Sequence, residues 1–358
     1  MGVWSTNGVL WQSVDAYRRA ASAALADLEL IRDHGPLPKA AIPLVAVVKN
    51  EAPLIGSFLD HYRKLGVARF LIVDNGSTDG TFEMLAAAPD VDLWRTEASY
   101  EAANHGGFWM DGLLWARARD RWVLVVDADE FLVFSPTTRR PGAALADLIE
   151  RLKWRGETRL FAPMLDVYAD RPIGETIIDP DKDPLTQLRW FDGDAESYED
   201  DERGVWVVGG ARRRLFFAGE PDRRPGLSKY PLVYYDAASA FIGIHTPTPA
   251  SRNYLRPLGR LIHIKLHAGL LGKAAIAVEE GEHWQDATEY RQYLATLSAT
   301  RSLNAHTATS VEYKGPQTLI DCGFMFEPTV SINDVALRLW RWTLGRQSAP
   351  SSRNSHNK

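Results

Sequence analysis

Residues 42–81 read IPLVAVVKNEAPLIGSFLDHYRKLGVARFLIVDNGSTDGT and predict a strand, a helix and a second strand. The run from Leu44 to Val48 is apolar and rich in β-branched residues, which is typical of a strand buried on both faces. Apolar residues then recur every three or four positions from Leu54 to Leu65, as on one face of a helix, and Gly66 ends that pattern. Phe70–Val73 repeats the character of the first strand. Two buried strands joined by a helix predict a parallel pair.

The alternation of strands and helices continues to about residue 126. The pattern predicts helices over 81–88 and 107–118 and strands over 91–94 and 122–126. Such alternation predicts an α/β fold: a mainly parallel, Rossmann-like sheet flanked by helices. Ligands of these folds bind beyond the carboxyl ends of the strands. Polar residues follow three of the predicted strands at that end, namely Lys49-Asn50-Glu51, Asp74-Asn75-Gly76-Ser77 and Asp127-Ala128-Asp129.

Composition excludes several other classes of protein. The 358 residues are 45% hydrophobic and 24% charged, which is enough apolar material for a sizeable core. A net charge of −5 argues against a protein built to coat nucleic acid, so we expect no nucleic-acid partner. The single cysteine, Cys322, excludes an internal disulfide and a Cys-rich zinc module, and it suits a reducing compartment. With no visible targeting segment and no apolar run of about 18 residues, we expect a cytoplasmic protein.

The pattern divides the chain into four segments. We predict an N-terminal helix and linker over 1–38, a core domain over 39–268, a helical C-terminal extension over 269–345 and a disordered tail over 346–358. The first helix is expected over 12–34. Residues 170–203 are rich in Asp, Glu, Gly and Pro, and we expect an exposed acidic loop there, with an acceptor-binding flap as the alternative.

Asp127-Ala128-Asp129 is the sharpest chemical signal. Five apolar residues lead directly into this pair of carboxylates, which therefore stands at the end of a predicted buried strand. Burying two like charges is costly unless a cation or hydrogen-bond donors offset them. Oxygen ligands suit Mg²⁺ or Mn²⁺, which bind a few carboxylates and then the phosphates of a substrate. We therefore predict a metal and diphosphate site, with a solvated pair of loop carboxylates as the alternative.

Asp74 ends the second strand and begins a turn that enters a helix. The glycines of the turn permit a tight bend, and Ser77, Thr78 or Asp79 could cap the helix that follows. Beyond this structural role, we predict that Asp74 accepts a hydrogen bond from the base or the sugar of a nucleoside. The turn has no GxGxxG pattern, which argues against an enzyme that uses a nicotinamide cofactor.

These motifs together resemble glycosyltransferase family 2. VVKNEAPLIGSFLDHYRKLGVARFLIVDNGSTDGT (residues 47–81) and WVLVVDADEFLVF (122–134) are similar to the bacterial branch that reads K/R-N-E, then DN-S-DGT, then D-x-DEF. The resemblance is strong over 42–134 and fainter to residue 267. It implies a GT-A fold for the core domain at 39–268, with 42–134 as its nucleotide-binding half. It also implies transfer of a sugar, with inversion, from a nucleotide-diphosphate sugar to an acceptor hydroxyl.

The resemblance implies roles for particular residues. Asn50 and Glu51, with the neighbouring Lys49, would lie near the nucleoside. Asp74 would contact the base or the ribose, beside Asn75 and Ser77. Asp127 and Asp129 would form the metal-binding Asp-x-Asp.

Other residues are candidates on chemical grounds. Lys265 or the arginines at 212–214, Arg212 first, could stabilise the charge of a departing diphosphate, although a solvated strand face is the more ordinary explanation for the arginine run. The segment 261–266 alternates like a strand and would place His263, Lys265 and His267 on one face, so that His263 could be a further metal ligand. An inverting transfer needs a base for the acceptor proton, and Asp236, Glu220 and His245 are the candidates.

The sequence leaves the acceptor and two rival functions open. The acceptor could be a saccharide, a lipid-linked sugar or a protein. Residues 335–346 combine tryptophans with arginines, so they could lie on the inner face of an anionic membrane, although packing on the core is favoured. A phosphatase of the haloacid dehalogenase type also has Asp-x-Asp after a strand, but that motif is usually in the first strand. A binding module that has lost turnover is the third possibility.

Overall fold

The computed structural model describes residues 4–6, 9–11, 13–135, 142–193, 196–201, 204–219, 225–242, 245, 247–248 and 257–327. The strands in these ranges are β1 (Trp4–Thr6), β2 (Val9–Trp11), β3 (Glu29–Arg32), β4 (Pro43–Val48), β5 (Arg69–Asp74), β6 (Val91–Arg95), β7 (Arg121–Val125), β8 (Glu130–Phe134), β9 (Arg159–Leu160), β10 (Met164–Asp166), β11 (Trp190–Asp192), β12 (Glu196–Asp201), β13 (Gly204–Gly209), β14 (Leu232–Tyr235), β15 (Gly259–His263) and β16 (Ser310–Glu312). The α-helices in the same ranges are α1 (Val14–Ala24), α2 (Ala52–Leu65), α3 (Thr81–Ala87), α4 (Gly107–Arg117), α5 (Ala144–Trp154), α6 (Pro184–Gln187), α7 (Gly210–Phe216), α8 (Gly269–Glu280), α9 (Trp284–Ala299) and α10 (Pro316–Asp321).

A seven-stranded sheet forms the centre, in the order β3-β6-β5-β4-β7-β14-β9. Its four middle strands, β6, β5, β4 and β7, are parallel, and β3 and β14 flank them in antiparallel orientation. The helices α2 and α3 connect consecutive parallel strands, as the sequence pattern predicts. The predicted α/β class, with a mainly parallel sheet flanked by helices, is confirmed.

The register of the parallel strands brings the predicted polar groups to one edge. Val48 pairs with Asp74, and Val45 pairs with Val125, so β4, β5 and β7 end close together. The polar residues that follow Val48, Asp74 and Val125 therefore meet at the carboxyl edge of the sheet.

A second, three-stranded sheet extends this edge. Its order is β10-β15-β8, and its register places His263 between Glu130 on one side and Asp166 on the other. Because β8 begins directly after Asp129, this small sheet positions the histidine beside the Asp-x-Asp motif.

The helix α2 shows how the sequence fixes the core. Its buried stripe is the one predicted from the sequence, and it ends at Gly66, which has a φ of 111°. A Cβ at Gly66 would lie 2.3 Å from the carbonyl oxygen of Gly142, so both the backbone conformation and the close approach require glycine.

The prediction of one helix over 12–34 is wrong beyond residue 24. The helix α1 ends at Ala24, and Glu29–Arg32 instead forms β3 on the edge of the central sheet, antiparallel to β6. The Arg32 guanidinium donates to the carbonyl oxygens of Ala86 and Ala88 at the end of α3 and of Val91 in β6. Backbone pairing with β6 and these arginine hydrogen bonds outweigh a helical spacing that continues by chance.

Three further expectations need correction. Residues 170–193 are not a plain exposed loop, because they bury Ile173, Ile178, Leu188 and Phe191. The arginine run is not on a solvated strand: Arg212 lies on α7 and is buried. The strand predicted over 261–266 spans Gly259–His263, so Lys265 and His267 follow it.

Several predictions fall on residues that the structure does not describe. Glu220, the tail at 346–358 and the segment at 335–346 lie outside the described ranges. None of the helices within the described ranges combines the length and the apolar character needed to cross a membrane.

Candidate functional site

The Lys49-Asn50-Glu51 segment and the turn after Asp74 are joined by hydrogen bonds. Asn50 has a φ of 55°, its backbone N–H donates to Ser77 Oγ at 3.0 Å, and its Oδ1 accepts from the N–H of Thr78 at 2.8 Å. The N–H of Glu51 donates to Thr81 Oγ1 at 2.8 Å. The two motifs therefore form one structural unit, and the side chains of Asn50 and Ser77 hold its loops in place.

Asp74 is fully buried within this unit. Its Oδ1 accepts from the N–H of Ser77 at 3.0 Å, whereas its Oδ2 has no hydrogen-bond partner among the described residues. Burying a carboxylate oxygen without a hydrogen bond costs free energy, so Oδ2 of Asp74 would be stabilised by a donor.

An open cleft lies beside this unit. Its volume is about 300 Å³. The lining residues come from the ends of β4 and β5, the loop after β6 and the α8–α9 connection: Lys49, Asn75, Gly76, Glu97, Ala98, Glu280 and Glu282. Lys49 Nζ donates to Glu280 Oε1 at 2.7 Å, and the Asn75 side-chain amide donates to the carbonyl oxygen of Ala98 at 3.1 Å. The cleft is therefore polar and has the size of a small-molecule site.

Asp127 is held by a lysine that the sequence patterns do not reveal. The buried Lys229 donates to Asp127 Oδ2 at 2.8 Å and to Glu130 Oε1 at 2.7 Å. Burial alone would lower the pKa of Lys229, but the two carboxylates outweigh burial and raise it. The pKa of Asp127 is lowered, because the charge and hydrogen bond of Lys229 outweigh the effect of burial. Lys229 therefore stays charged and fixes the Asp127 side chain.

Asp129 faces His263. His263 Nε2 lies 3.4 Å from Asp129 Oδ2, and the exposed fraction of the Asp129 side chain is 12%. Burial would raise the pKa of Asp129, but His263, Lys265 and Lys273 together hold it well below its ordinary value. Burial would likewise lower the pKa of His263, and the carboxylate of Asp129 reverses this, so that the pKa is raised.

A chain of buried polar groups continues behind His263. His263 Nδ1 lies 2.8 Å from Asp166 Oδ1. Arg212 Nε donates to both oxygens of Asp166, at 2.8 and 2.9 Å, and Arg212 also donates to Glu289 Oε1 at 3.0 Å. The hydroxyl of Tyr293 donates to Glu289. Arg212 therefore pairs with Asp166 and Glu289, while its buried Nη2 has no hydrogen-bond partner among the described residues.

Two more lysines lie close enough to Asp129 to lower its pKa. Lys273 Nζ on α8 donates to Glu51 Oε1 at 2.6 Å. Lys265 Nζ donates to the hydroxyl of Tyr290 at 3.2 Å and lies 5.2 Å from the centre of that ring. Burial raises the pKa of Glu51, with Asp129 adding to the rise and Lys273 opposing it. The arrangement brings Glu51, Lys265 and Asp129 together, although they come from three distant parts of the chain.

Among the three base candidates, His245 lies near the motif. Its Nδ1 lies 3.2 Å from the carbonyl oxygen of Ser228, next to Lys229. Burial, together with the charge of Lys229, lowers the pKa of His245 to about 4, against the opposing effect of Asp127. The imidazole is therefore neutral at pH 7, and a pKa this low makes it a weak base.

Asp236 lies far from the Asp-x-Asp motif, so it is not positioned to act as the base. It follows β14, which is antiparallel to β7 and pairs Tyr235 with Arg121. Asp236 is thus at the amino end of β7, about 20 Å from Asp127 at the usual rise per residue of a strand. Its Oδ1 accepts from the N–H of Ala238 and from Ser239 Oγ, so it closes a turn.

The described cluster around Asp129 is rich in carboxylates. Its six carboxylates face four lysine and arginine cations, and bound protons reduce the difference, since the pKa of His263 is raised and burial raises that of Glu130 to about 7. The carboxylates are Glu51, Asp127, Asp129, Glu130, Asp166 and Glu289, and the cations are Lys229, Lys265, Lys273 and Arg212. Within the described residues, no three His, Cys, Asp or Glu side chains are grouped so as to hold a metal ion by themselves. Asp129 and His263 nevertheless offer two ligand atoms to an ion that a substrate would help to coordinate.

Apart from Glu130, which stands in the D-x-DEF motif, four residues of the cluster are absent from the sequence-based candidates. They are Asp166, Lys229, Lys273 and Glu289. None stands in a recognisable motif, and each reaches the site from a segment distant from the Asp-x-Asp. The only signal for them is that a buried charge demands a partner, which does not say where the partner is in the chain.

Comparisons with known proteins give little further information. No protein-family model matches the chain, and no curated protein matches it either. Among solved structures, the chain is similar to 4-diphosphocytidyl-2C-methyl-D-erythritol synthase, with a TM-score of 0.27 and 12% identity, over 79% of this chain and 97% of that chain. A likeness at this level leaves the function to be argued from the site itself.

Proposed function

We propose that this protein is a metal-dependent glycosyltransferase of the GT-A type. It moves a sugar, with inversion, from a nucleotide-diphosphate sugar to a hydroxyl of a saccharide, lipid-linked or protein acceptor. The observation that carries the proposal is the convergence of Glu51, Asp129, His263 and Lys265 at the carboxyl edge of the parallel strands, next to the buried Asp74. The resemblance of the same motifs to glycosyltransferase family 2 supports it.

The nucleoside would occupy the cleft beside Asp74. The unpaired Oδ2 of Asp74, which is buried in the protein alone, would accept a hydrogen bond from a base N–H or a ribose hydroxyl if nucleoside binding exposes it. Lys49 and Asn75 line this cleft and would contact the same nucleoside.

The divalent cation, Mn²⁺ or Mg²⁺, would be held by Asp129 and His263. When bound, it would supply positive charge that stabilises the diphosphate leaving group. The 3.4 Å separation of the two ligand atoms fits such an ion. Asp127 accepts from Lys229, so it would orient the site or bind a sugar hydroxyl with its second oxygen.

Two kinds of side chain would complete the reaction. Lys265 and Lys273 place positive charge beside Asp129, where the departing diphosphate would lie. His245, neutral at pH 7, would accept the proton of the acceptor hydroxyl and leave its oxygen free to attack the sugar.

Nucleotide binding with and without metal tests the donor site. We expect one of UDP, GDP, ADP or CMP to raise the melting temperature with Mn²⁺, and the shift to vanish with a chelator or in Asp129→Ala. Ligand at 100 times its Kd should stabilise the protein by about 2.7 kcal/mol. Asp236→Ala is the matched control, since this aspartate lies at the other edge of the sheet and binding should survive its loss.

Turnover separates the proposal from its rivals. Release of free sugar or transfer to an acceptor from the bound donor supports a transferase, whereas release of inorganic phosphate from a phosphomonoester supports a phosphatase. Binding of a nucleoside diphosphate without any turnover would point to a module that has lost catalysis. No shift with any nucleotide would overturn the proposed donor site.

A further inference from the structure

His263 is held between two carboxylates that contact opposite nitrogens of its ring. Nδ1 lies 2.8 Å from Asp166 Oδ1, and Nε2 lies 3.4 Å from Asp129 Oδ2. The pairing of β10 with β15 sets Asp166 directly beside His263, and the pairing of β15 with β8 fixes the distance to the Asp-x-Asp motif. Strand register therefore sets where His263 stands relative to the two carboxylates.

We propose that Asp166 is a positioning residue that accepts the Nδ1–H of His263. This hydrogen bond directs the Nε2 lone pair toward Asp129, so that His263 and Asp129 together provide two ligand atoms for a divalent cation. This inference rests on the proposed metal-dependent function. A histidine that binds a metal commonly donates its other ring N–H to a carboxylate, which fixes both the tautomer and the ring orientation.

Arg212 keeps Asp166 suited to this role. The side chain of Asp166 is fully buried, and its two oxygens accept from Arg212 Nε at 2.8 and 2.9 Å. A buried carboxylate without such a partner would tend to take up a proton and could then no longer accept from His263. Glu289 binds the same guanidinium at 3.0 Å, so Arg212 is fixed from two sides.

The contact between His263 Nε2 and Asp129 needs a positive charge, which either a proton on Nε2 or a bound cation supplies. With Nδ1–H committed to Asp166, a neutral His263 presents an unprotonated Nε2 to the negative oxygen of Asp129, and two acceptors that face each other repel. A cation between them removes the conflict. Within the described residues, Lys265 and Lys273 act on Asp129, but the contacts of their ammonium groups are to Tyr290 and Glu51.

The test measures Mn²⁺ affinity directly, by electron paramagnetic resonance of the free ion in the presence of the nucleotide that binds best. Asp166→Asn should weaken Mn²⁺ binding about 10- to 100-fold. Asp192→Asn is the matched control: Asp192 also accepts from an arginine of α7 and from a second side chain, Tyr168, but it contacts no histidine of the site. Its Mn²⁺ affinity should equal that of the wild type. His263→Gln and the double variant Asp166→Asn/His263→Gln should bind Mn²⁺ with the same affinity as each other, because Asp166 acts only through His263.

A second measurement does not depend on the folding of any Asp166 variant. In wild-type protein with ¹⁵N-labelled histidine, the metal-free neutral ring of His263 should have its proton on Nδ1, with the signal assigned by its loss in His263→Gln. A proton on Nε2 would overturn the role of Asp166, as would unchanged Mn²⁺ affinity in Asp166→Asn when Asp129→Ala has lost it. If the wild type binds no Mn²⁺ with any nucleotide, the metal-dependent function itself fails, and the role of Asp166 in it fails too.

Discussion

Lys229 Nζ donates to Asp127 Oδ2 across 2.8 Å, although the two residues are 102 positions apart in the chain. The same ammonium group donates to Glu130 Oε1, so a single buried cation serves both carboxylates. The exposed fraction is 1% for the side chains of Lys229 and Glu130 and 35% for that of Asp127. Lys229 thus pairs with the buried side of the Asp-x-Asp motif, and the exposed part of Asp127 stays accessible to a ligand.

Loss of the Lys229 charge should be costly for stability. Lys229→Met would leave Glu130 and part of Asp127 buried without a counter-charge, and breaking a buried pair in this way typically costs about 3–5 kcal/mol. Urea unfolding measures the loss. The control is Lys153→Met, because Lys153 pairs with Glu150 on the exposed surface of α5 and its removal should change little. Equal stability of the two variants would mean that Lys229 does not compensate the carboxylates.

Asn50 should contribute to stability both through its side chain and through its backbone conformation. Its φ of 55° is open to glycine, whereas alanine there is strained by about 1–2 kcal/mol. Asn50→Gly removes the hydrogen bonds that Oδ1 accepts from the N–H and the hydroxyl of Thr78, and Asn50→Ala removes them and adds the strain. We expect stability in the order wild type, Asn50→Gly, Asn50→Ala, with weaker nucleotide binding in both variants because the loop after Asp74 loses a contact. Urea unfolding and calorimetric titration measure the two effects, and alanine as stable as glycine would contradict the conformational argument.

The carboxyl edge of the sheet could be predicted from sequence because its signals are local. Short β-branched runs, helical stripes and the polar residues that follow each strand stand within a few positions of one another, and the parallel topology then brings them together. For this reason Asp74, Asp127 and Asp129 stand out as candidates in the sequence alone.

The partners of these residues could not be predicted, because their signals are not local. Asp166 reaches His263 across 97 positions, and Lys273 reaches Glu51 across 222. No spacing rule links residues so far apart. The edge strand β3 shows that a local pattern can also mislead. Apolar residues at 25, 28 and 31 have the spacing of a helical stripe, yet tertiary pairing with β6 decides the structure.

The pH dependence of transfer should reveal His245 if it is the base. Burial and Lys229 lower its pKa to about 4, so the base stays neutral from about pH 5 upward, and kcat/KM should fall only as the pH drops toward 4. His245→Gln should reduce kcat about 10²- to 10⁴-fold with little change in donor binding.

His34→Gln is the matched control for this prediction. His34 pairs with Asp92, which Arg69 at the start of β5 also contacts, so it lies at the opposite edge of the sheet and its loss should leave kcat unchanged. Full activity in His245→Gln, or a fall in kcat/KM centred near pH 6.5, would exclude His245 as the base.

Two glycines within helices should respond in opposite directions to the same substitution. A Cβ at Gly112 on α4 would lie 2.5 Å from the carbonyl oxygen of Ala21 on α1 and 3.0 Å from Leu25, whereas nothing lies within 4 Å of a Cβ at Gly272 on α8. Gly112→Ala should therefore force α1 away from α4 and destabilise the protein by about 1–3 kcal/mol. Gly272→Ala should stabilise it by about 1 kcal/mol through helix propensity alone. Urea unfolding of both variants measures the difference, and since each gains the same propensity, a Gly112→Ala variant as stable as Gly272→Ala would show that α1 does not pack against α4 at this distance.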